Sequence, residues 1–284
     1  MLALDVRHLN KKYPNFQLKD VSFQLEQGYI MGFIGANGAG KTTTLKSILN
    51  MIRPDSGEVR IMGKNIAEHE LELKQDIGYA FGGIDFYTRS KIKTLTGVIK
   101  KFYSNWDDAT YSGYLRRFKL DESKKISELS TGMRVKYSVA LALSHGAKVL
   151  ILDEPTSGLD PVARDDLLDV FQELVMGGDI SILFSTHITS DLEKCADYIT
   201  YIANGRIIGS SDKEQFKESY RLLNGSESQL NQVRDRLISF KVNSFGFTGL
   251  IRAEDFDPSS GIQAVTPSLE EIMIYVAKKE EAHV

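Results

Sequence analysis

Gly35-Ala36-Asn37-Gly38-Ala39-Gly40-Lys41-Thr42 fits the pattern G-x-x-x-x-G-K-[ST]. The chemistry of that spacing is phosphate binding. Glycines let backbone N–H groups converge on phosphate oxygens without interference from a Cβ. The helical run that follows, Thr42 to Met51, would add the partial positive charge of its N-terminus. Lys41 is expected on the β- and γ-phosphates, and the Thr42 hydroxyl on Mg²⁺. Thr43 is expected to donate to the α-phosphate, while Asn37, Gly38, Ala39 and Gly40 offer backbone donors. An ordinary glycine-rich turn is the bland alternative. It is disfavoured by the buried-strand run Tyr29-Ile30-Met31-Gly32-Phe33-Ile34 before the loop and the helical pattern after it.

A second chemical signal is Val149-Leu150-Ile151-Leu152-Asp153-Glu154, an apolar strand that ends in two acids. Two adjacent acids alone usually mark a solvated turn. A buried parallel strand instead delivers Asp153 to the carboxyl edge of a sheet, where ligands bind in open α/β folds. Asp153 can then hold the Mg²⁺ shell, and Glu154 can polarise an attacking water as general base.

The elements that must position these residues follow from periodicity and turn chemistry. Leu2 to Arg7, Val21 to Leu25, Glu58 to Met62, Lys148 to Leu152 and Ser181 to Ser185 read as strands. Tyr198 to Ala203 and Arg206 to Gly209 frame an Asn204-Gly205 hairpin turn. Residues 88–146 are predominantly helical, with Thr94, Asp107 and Ser130 as expected caps. Asp165 to Met176 and Ser190 to Ala196 read as further helices. The pattern predicts a core domain over 1–216 and a small β/α extension over 217–284, with short strands at Arg221–Leu223 and Ser239–Val242 and a helix from Ser268 to Lys279.

A length of 284 residues with 42% hydrophobic and 26% charged side chains can bury a core without disulfides or metals. The net charge of -3, without a basic block, argues against a nucleic-acid partner. A single cysteine, Cys195, rules out an internal disulfide and fits a reducing, cytoplasmic compartment, with the thiol expected to be packed. The N-terminus lacks the basic and apolar regions of a signal peptide, and no stretch approaches the ~20 apolar residues of a membrane helix. Any membrane role therefore requires a second chain that spans the bilayer.

Three further segments stand in order: Leu129-Ser130-Thr131-Gly132-Met133, Ser157-Gly158-Leu159-Asp160 and Ser185-Thr186-His187. With the two motifs above, they resemble the signature, D-loop and switch-histidine segments of the nucleotide-binding subunits of ABC transporters over roughly residues 1–215. The resemblance implies an α/β P-loop NTPase core of the ABC ATPase kind with a helical subdomain. It also implies hydrolysis of ATP with Mg²⁺ and a head-to-tail dimer, homo- or hetero-, with two ATPs at the interface. Ser130 and Gly132 would complete the partner's site, and Asp160 would link the two sites. His187 would touch the γ-phosphate and orient the water. Tyr13 matches the aromatic residue that stacks on adenine, the alternative being strand-edge packing. A separate transmembrane permease is implied, with this subunit peripheral at the inner face of the membrane.

The chain departs from the family at Gly82, where a glutamine is usual, and at Thr131 and Met133 in the signature. The resemblance therefore implies binding and dimerisation, with hydrolysis slower or coupled differently, through neighbours such as Asp85, Phe86 and Tyr87. The Ala80-Phe81-Gly82 variant and the tail Thr266-Pro267-Ser268-Leu269-Glu270-Glu271-Ile272-Met273 resemble bacterial ABC-2-type exporters of the YtrB and phenol-soluble-modulin-exporter type. Such an exporter implies an amphipathic or antimicrobial peptide as cargo. A soluble ABC ATPase and a low-turnover nucleotide-gated regulator are the competing functions. His8, His69, His145 and His283 have no context that assigns them a role.

Overall fold

A computed structural model describes residues 1–81 and 87–281. Gly82, Asp85 and Phe86, on which the departure from the family pattern and its rerouting rest, lie outside the described residues. The chain opens with a long antiparallel hairpin of β1 (Leu2–Tyr13) and β2 (Phe16–Glu26). β1 continues to Tyr13 instead of ending at Arg7. The apolar alternation breaks at His8, where φ is +48° and the register shifts between Val6 and Leu9, so the strand passes through a bulge and resumes. β3 (Ile30–Ile34), buried throughout, runs into the phosphate loop and α1 (Lys41–Ile48). β4 (Ser56–Ile61) and the two-residue β5 (Lys64–Asn65) return to the hairpin and give a sheet in the order β2-β1-β4-β5.

A short α2 (Glu70–Leu73) precedes β6 (Ile77–Phe81), and residues 88–146 then hold α3 (Ile92–Ile99), α4 (Asp108–Arg117) and α5 (Thr131–Ser144). Asp107 caps α4 by accepting from Ala109 N at 2.8 Å, and Ser130 caps α5 by accepting from Met133 N at 3.3 Å. The expected cap at Thr94 is corrected: α3 starts after Lys91, and Thr94 lies inside the first turn. Lys91 is held extended by a bridge to Lys125, and Ile92 N donates to Lys124 O at 2.9 Å, so tertiary pairing sets the start of this helix. The Thr96 hydroxyl lies 2.7 Å from the hydroxyls of both Tyr111 and Tyr137 and pins the three helices together.

β7 (Val149–Asp153), α6 (Pro161–Met176), β8 (Ser181–Thr186), α7 (Thr189–Cys195), β9 (Tyr198–Ala203) and β10 (Arg206–Asp212) complete a sheet in the order β10-β9-β3-β8-β7-β6. Its strands are parallel except β10, which returns through Asn204-Gly205. α6 begins at Pro161 and not at Asp165, because Asp160 accepts from Val162 N and Ala163 N and Pro161 sets the first helical φ. Ile30 and Ile34 face the helices, while Met31 and Phe33 face Leu4, Val6 and Leu9 of the hairpin sheet, so the domain has one core on each side of the parallel sheet. Cys195 is buried, its thiol donates to Asp191 O at 3.2 Å, and desolvation pushes its pKa up to about 12, as expected of a packed thiol.

After α8 (Lys213–Glu218), the tail forms β11 (Tyr220–Gly225), α9 (Glu227–Val233), β12 (Ser239–Asn243), β13 (Gly246–Arg252), β14 (Gln263–Val265) and α10 (Leu269–Glu281). Its sheet order is β12-β13-β11-β14. Alternation along the strands splits the contacts. Leu223, Phe247 and Ile251 pack with Leu230 and Val233 of α9. Leu222 and Leu250 face the other way and join Leu269, Ile272, Tyr275 and Val276 of α10 in the core shared with the parallel sheet. No helix among the described residues is long and apolar enough to cross a membrane.

Candidate functional site

The parallel strands end at one edge, and the residues expected to do chemistry gather there. The phosphate loop leaves β3 there, turns at Gly40 with φ +115°, and enters α1. The loop is braced from below, since Ala39 O accepts from Gly205 N at 2.9 Å and Lys19 N donates to Gly205 O at 2.7 Å. A Cβ on Gly205 would stand 1.9 Å from Gln17 O, so only glycine lets the β9–β10 turn press against the hairpin. The loop opens on a cleft of about 480 Å³ lined by Asn15, Phe16, Ala36, Asn37, Gly38, Gly40, Lys41, Thr42, Thr43 and Glu154.

Lys41 is buried, and its ammonium donates to Gly35 O at 2.7 Å and Ala36 O at 3.3 Å, within the loop. It also stands 3.4 Å from Glu154 Oε1. The Thr42 hydroxyl donates to Asp153 Oδ2 at 2.7 Å, and the Ser185 hydroxyl donates to Asp153 Oδ1. Ser185 Oγ in turn accepts from Glu154 N at 3.1 Å. β8 thus fixes both acids at the end of β7. Glu154 leaves the strand with φ +50°, and its carboxylate lies between Lys41 and His187, whose Nδ1 is 2.8 Å from Glu154 Oε2.

The structure therefore brings Lys41, Thr42, Asp153, Glu154 and His187 together. Thr42 and Asp153 converge as a hydroxyl and a carboxylate, the hard oxygen donors that Mg²⁺ takes together with phosphate oxygens and water. Ser130, Gly132, Asp160 and Tyr13 do not line the cleft. Ser130 and Asp160 cap α5 and α6, and the two segments meet where a Cβ on Gly132 would stand 2.9 Å from Leu159 Cδ2. Tyr13 ends β1, half-exposed, with the Lys11 ammonium 5.8 Å from its ring centre. The aromatic side chain on the cleft wall is Phe16. Phe16 lines the cleft and Ser185 holds Asp153, and the sequence alone marks neither for such a place. Phe16 is one aromatic residue at a turn, and Ser185 gave no signal beyond its place in the histidine segment.

A phosphate loop, a hydroxyl–carboxylate pair and a carboxylate–imidazole pair at one edge of a parallel sheet define a P-loop nucleotide triphosphatase. The family model described as ABC transporter matches residues 18–157. The ABC transporter ATP-binding protein YtrB of Bacillus subtilis (strain 168) is 31% identical over 283 residues, 95% of this chain and 97% of the relative. The bacitracin transport ATP-binding protein BcrA of Bacillus licheniformis is 32% identical over 216 residues, 75% of this chain and 71% of the relative. The structure of an ATP-binding subunit of an ABC transporter superposes with a TM-score of 0.69 at 28% identity, covering 76% of this chain and 92% of that one. The chain belongs to the ATP-binding proteins of ABC transporters: it is the ATP-binding subunit of an ABC transporter and an ABC ATPase.

Proposed function

We propose that this subunit hydrolyses ATP through Glu154 and His187 to drive an ABC exporter, in a dimer closed around two nucleotides. The observation that carries the chemistry is the Glu154 carboxylate, held by the His187 imidazole and beside the Lys41 ammonium, one residue beyond Asp153. Lys41 leaves its loop carbonyls for the β- and γ-phosphates. The backbone donors of Asn37, Gly38, Ala39 and Gly40 and the Thr43 side chain hold the phosphate chain. Thr42 and Asp153 would hold Mg²⁺, which would supply positive charge against the developing charge of the phosphates. Glu154 draws the proton from a water as its oxygen attacks the γ-phosphorus. The bond to the β–γ bridging oxygen breaks, and ADP and phosphate leave. His187 orients that water and contacts the γ-phosphate.

Ser130 and Gly132 open α5 and serve the nucleotide of the second subunit, identical or homologous, and Asp160 lies between the two sites. Tyr13 faces adenine from the hairpin. ATP-binding subunits of this family work as dimers with a transmembrane permease. Here the permease is a separate chain, with this subunit cytoplasmic and peripheral at the inner face of the membrane, and residues 217–284 are an accessory module. The bacitracin-transport relative supports a transport role, and an exporter with an amphipathic or antimicrobial peptide as the cargo class is the reading proposed for this chain.

The deciding experiment is Glu154→Gln, which keeps size and hydrogen bonding but removes the charge. Turnover should fall by about 10²–10⁴-fold, ATP binding should persist, and ATP should shift sedimentation from monomer to dimer. Near-normal phosphate release by this variant would overturn the assignment. Co-purification with a permease from solubilised membranes separates the exporter from a soluble ATPase or a regulator.

A further inference from the structure

Asp191 stands in the first turn of α7, four positions after His187, and its side chain is almost wholly buried. Its Oδ1 lies 3.9 Å from Arg164 Nε on α6, beyond hydrogen-bond reach. Asp191 Oδ2, Arg164 Nε and the Thr156 hydroxyl are all buried, and none has a hydrogen-bond partner of normal geometry among the described residues. Burial, with the nearby Glu154 charge, pushes the Asp191 carboxyl up; the Thr156 hydroxyl, close by but outside normal hydrogen-bond geometry, and the charges of Arg164 and His187 pull the other way. Incompletely paired buried charges are a poor source of stability, and such a cluster needs a reason of another kind.

Its connections supply one. Thr156 is two residues past Glu154. Arg164 also reaches Leu159 O with Nη2 at 3.5 Å, and its backbone N donates to Asp160 O at 3.0 Å. Leu159 in turn packs on Gly132. Backbone bonds place Asp191 beside the turn that carries His187, its N–H donating to Ile188 O at 3.2 Å and Ile188 N donating to Thr186 Oγ1 at 3.0 Å, and from there its carboxylate feels the charges of His187 and Glu154. The cluster thus joins the signature segment, the Leu159–Asp160 turn and the Glu154–His187 pair.

We propose that Asp191 and Arg164 are positioning residues for hydrolysis, which fix His187 against Glu154 according to the placement of the Leu159–Asp160 turn. This rests on the reading of Glu154 and His187 as the hydrolytic pair. Neither residue touches nucleotide, so the pair should act on turnover and not on binding.

The test uses the full chain, steady-state ATPase assays and a fluorescent ATP analogue. Asp191→Asn and Arg164→Met should each lower kcat by about tenfold, as outer partners of reacting groups do. KM for ATP and analogue affinity should stay within about twofold. In a His187→Ala background, Asp191→Asn should add less than about twofold, because the residue it positions is gone. A purely structural role would give the same loss in both backgrounds, tracking the fall in Tm, and would overturn the proposal, as would unchanged kcat in both single variants. If Asp191→Asn does not fold, Arg164→Met, at the more exposed end of the pair, gives the same readout. Normal turnover in His187→Ala alone would overturn both the hydrolytic reading and this coupling, whereas normal turnover confined to the Asp191 and Arg164 variants overturns only the coupling.

Discussion

Gly205 sets the phosphate loop from outside the loop. Its N–H and C=O bridge Ala39 and Lys19, and its φ of +73° and contact with Gln17 O leave no room for a Cβ. Gly205→Ala should therefore destabilise the protein by about 1–3 kcal/mol, the cost of a strained backbone site, and weaken ATP binding together with Tm. Thermal melts and nucleotide titration check this. Unchanged affinity at a lowered Tm would show that the brace does not shape the loop. At this scale, the sequence made the chemical groups legible. Lys41, Thr42, Asp153, Glu154 and His187 meet because each ends a buried strand or starts the helix that follows one. The Gly205 brace, Phe16 and the Asp191–Arg164 pair were not legible, because each depends on segments distant in sequence coming together, and nothing local announces that.

Elements show the same division. Strands buried on both faces, such as β7 and β8, announced themselves as apolar runs. β6 has the sequence Ile77-Gly78-Tyr79-Ala80-Phe81, too short and mixed for a periodicity argument. The start of α3 departs from the threonine pattern because the bridge to Lys125, and not the threonine, decides it. The C-terminal end of α5 carries an element-scale prediction. His145, its C-cap, is buried, stacks on Tyr103 with ring centres 3.8 Å apart, and has Nδ1 3.0 Å from Gln75 O. Burial holds its pKa below 6.5. The folded state thus takes up a proton less readily than the unfolded chain, so the stabilisation is full above the ordinary value and is lost as pH falls below it. Melting temperature should drop between about pH 7 and pH 5, and His145→Phe, which keeps a ring against Tyr103, should flatten that slope. A slope unchanged by the substitution would move the effect to other groups.

Across the whole molecule, the tail has its own sheet but only half of its own core. Leu222, Leu250, Leu269 and Ile272 are buried in the same cluster as Leu150, Phe171 and Phe184 of the parallel sheet and its helices. α10 also meets α7 by a polar contact, where Leu269 N donates to Glu193 Oε1 at 3.1 Å. Calorimetry of the full chain should therefore show one cooperative transition. Leu269→Ala should shift all of it, at a cost of about 2–5 kcal/mol for an emptied core site. Two separated transitions, or a shift confined to one of them, would show that the tail folds on its own.

The Gly205 brace also bears on the birth of the protein. A chain still on the ribosome presents residues 35–42 long before residue 205 has left the tunnel, since synthesis runs from the N-terminus. Until then the nascent loop lacks the contact that shapes it. If the titration bears out the brace, the stabilisation that nucleotide supplies by mass action falls on the late, nearly finished domain and not on the nascent chain.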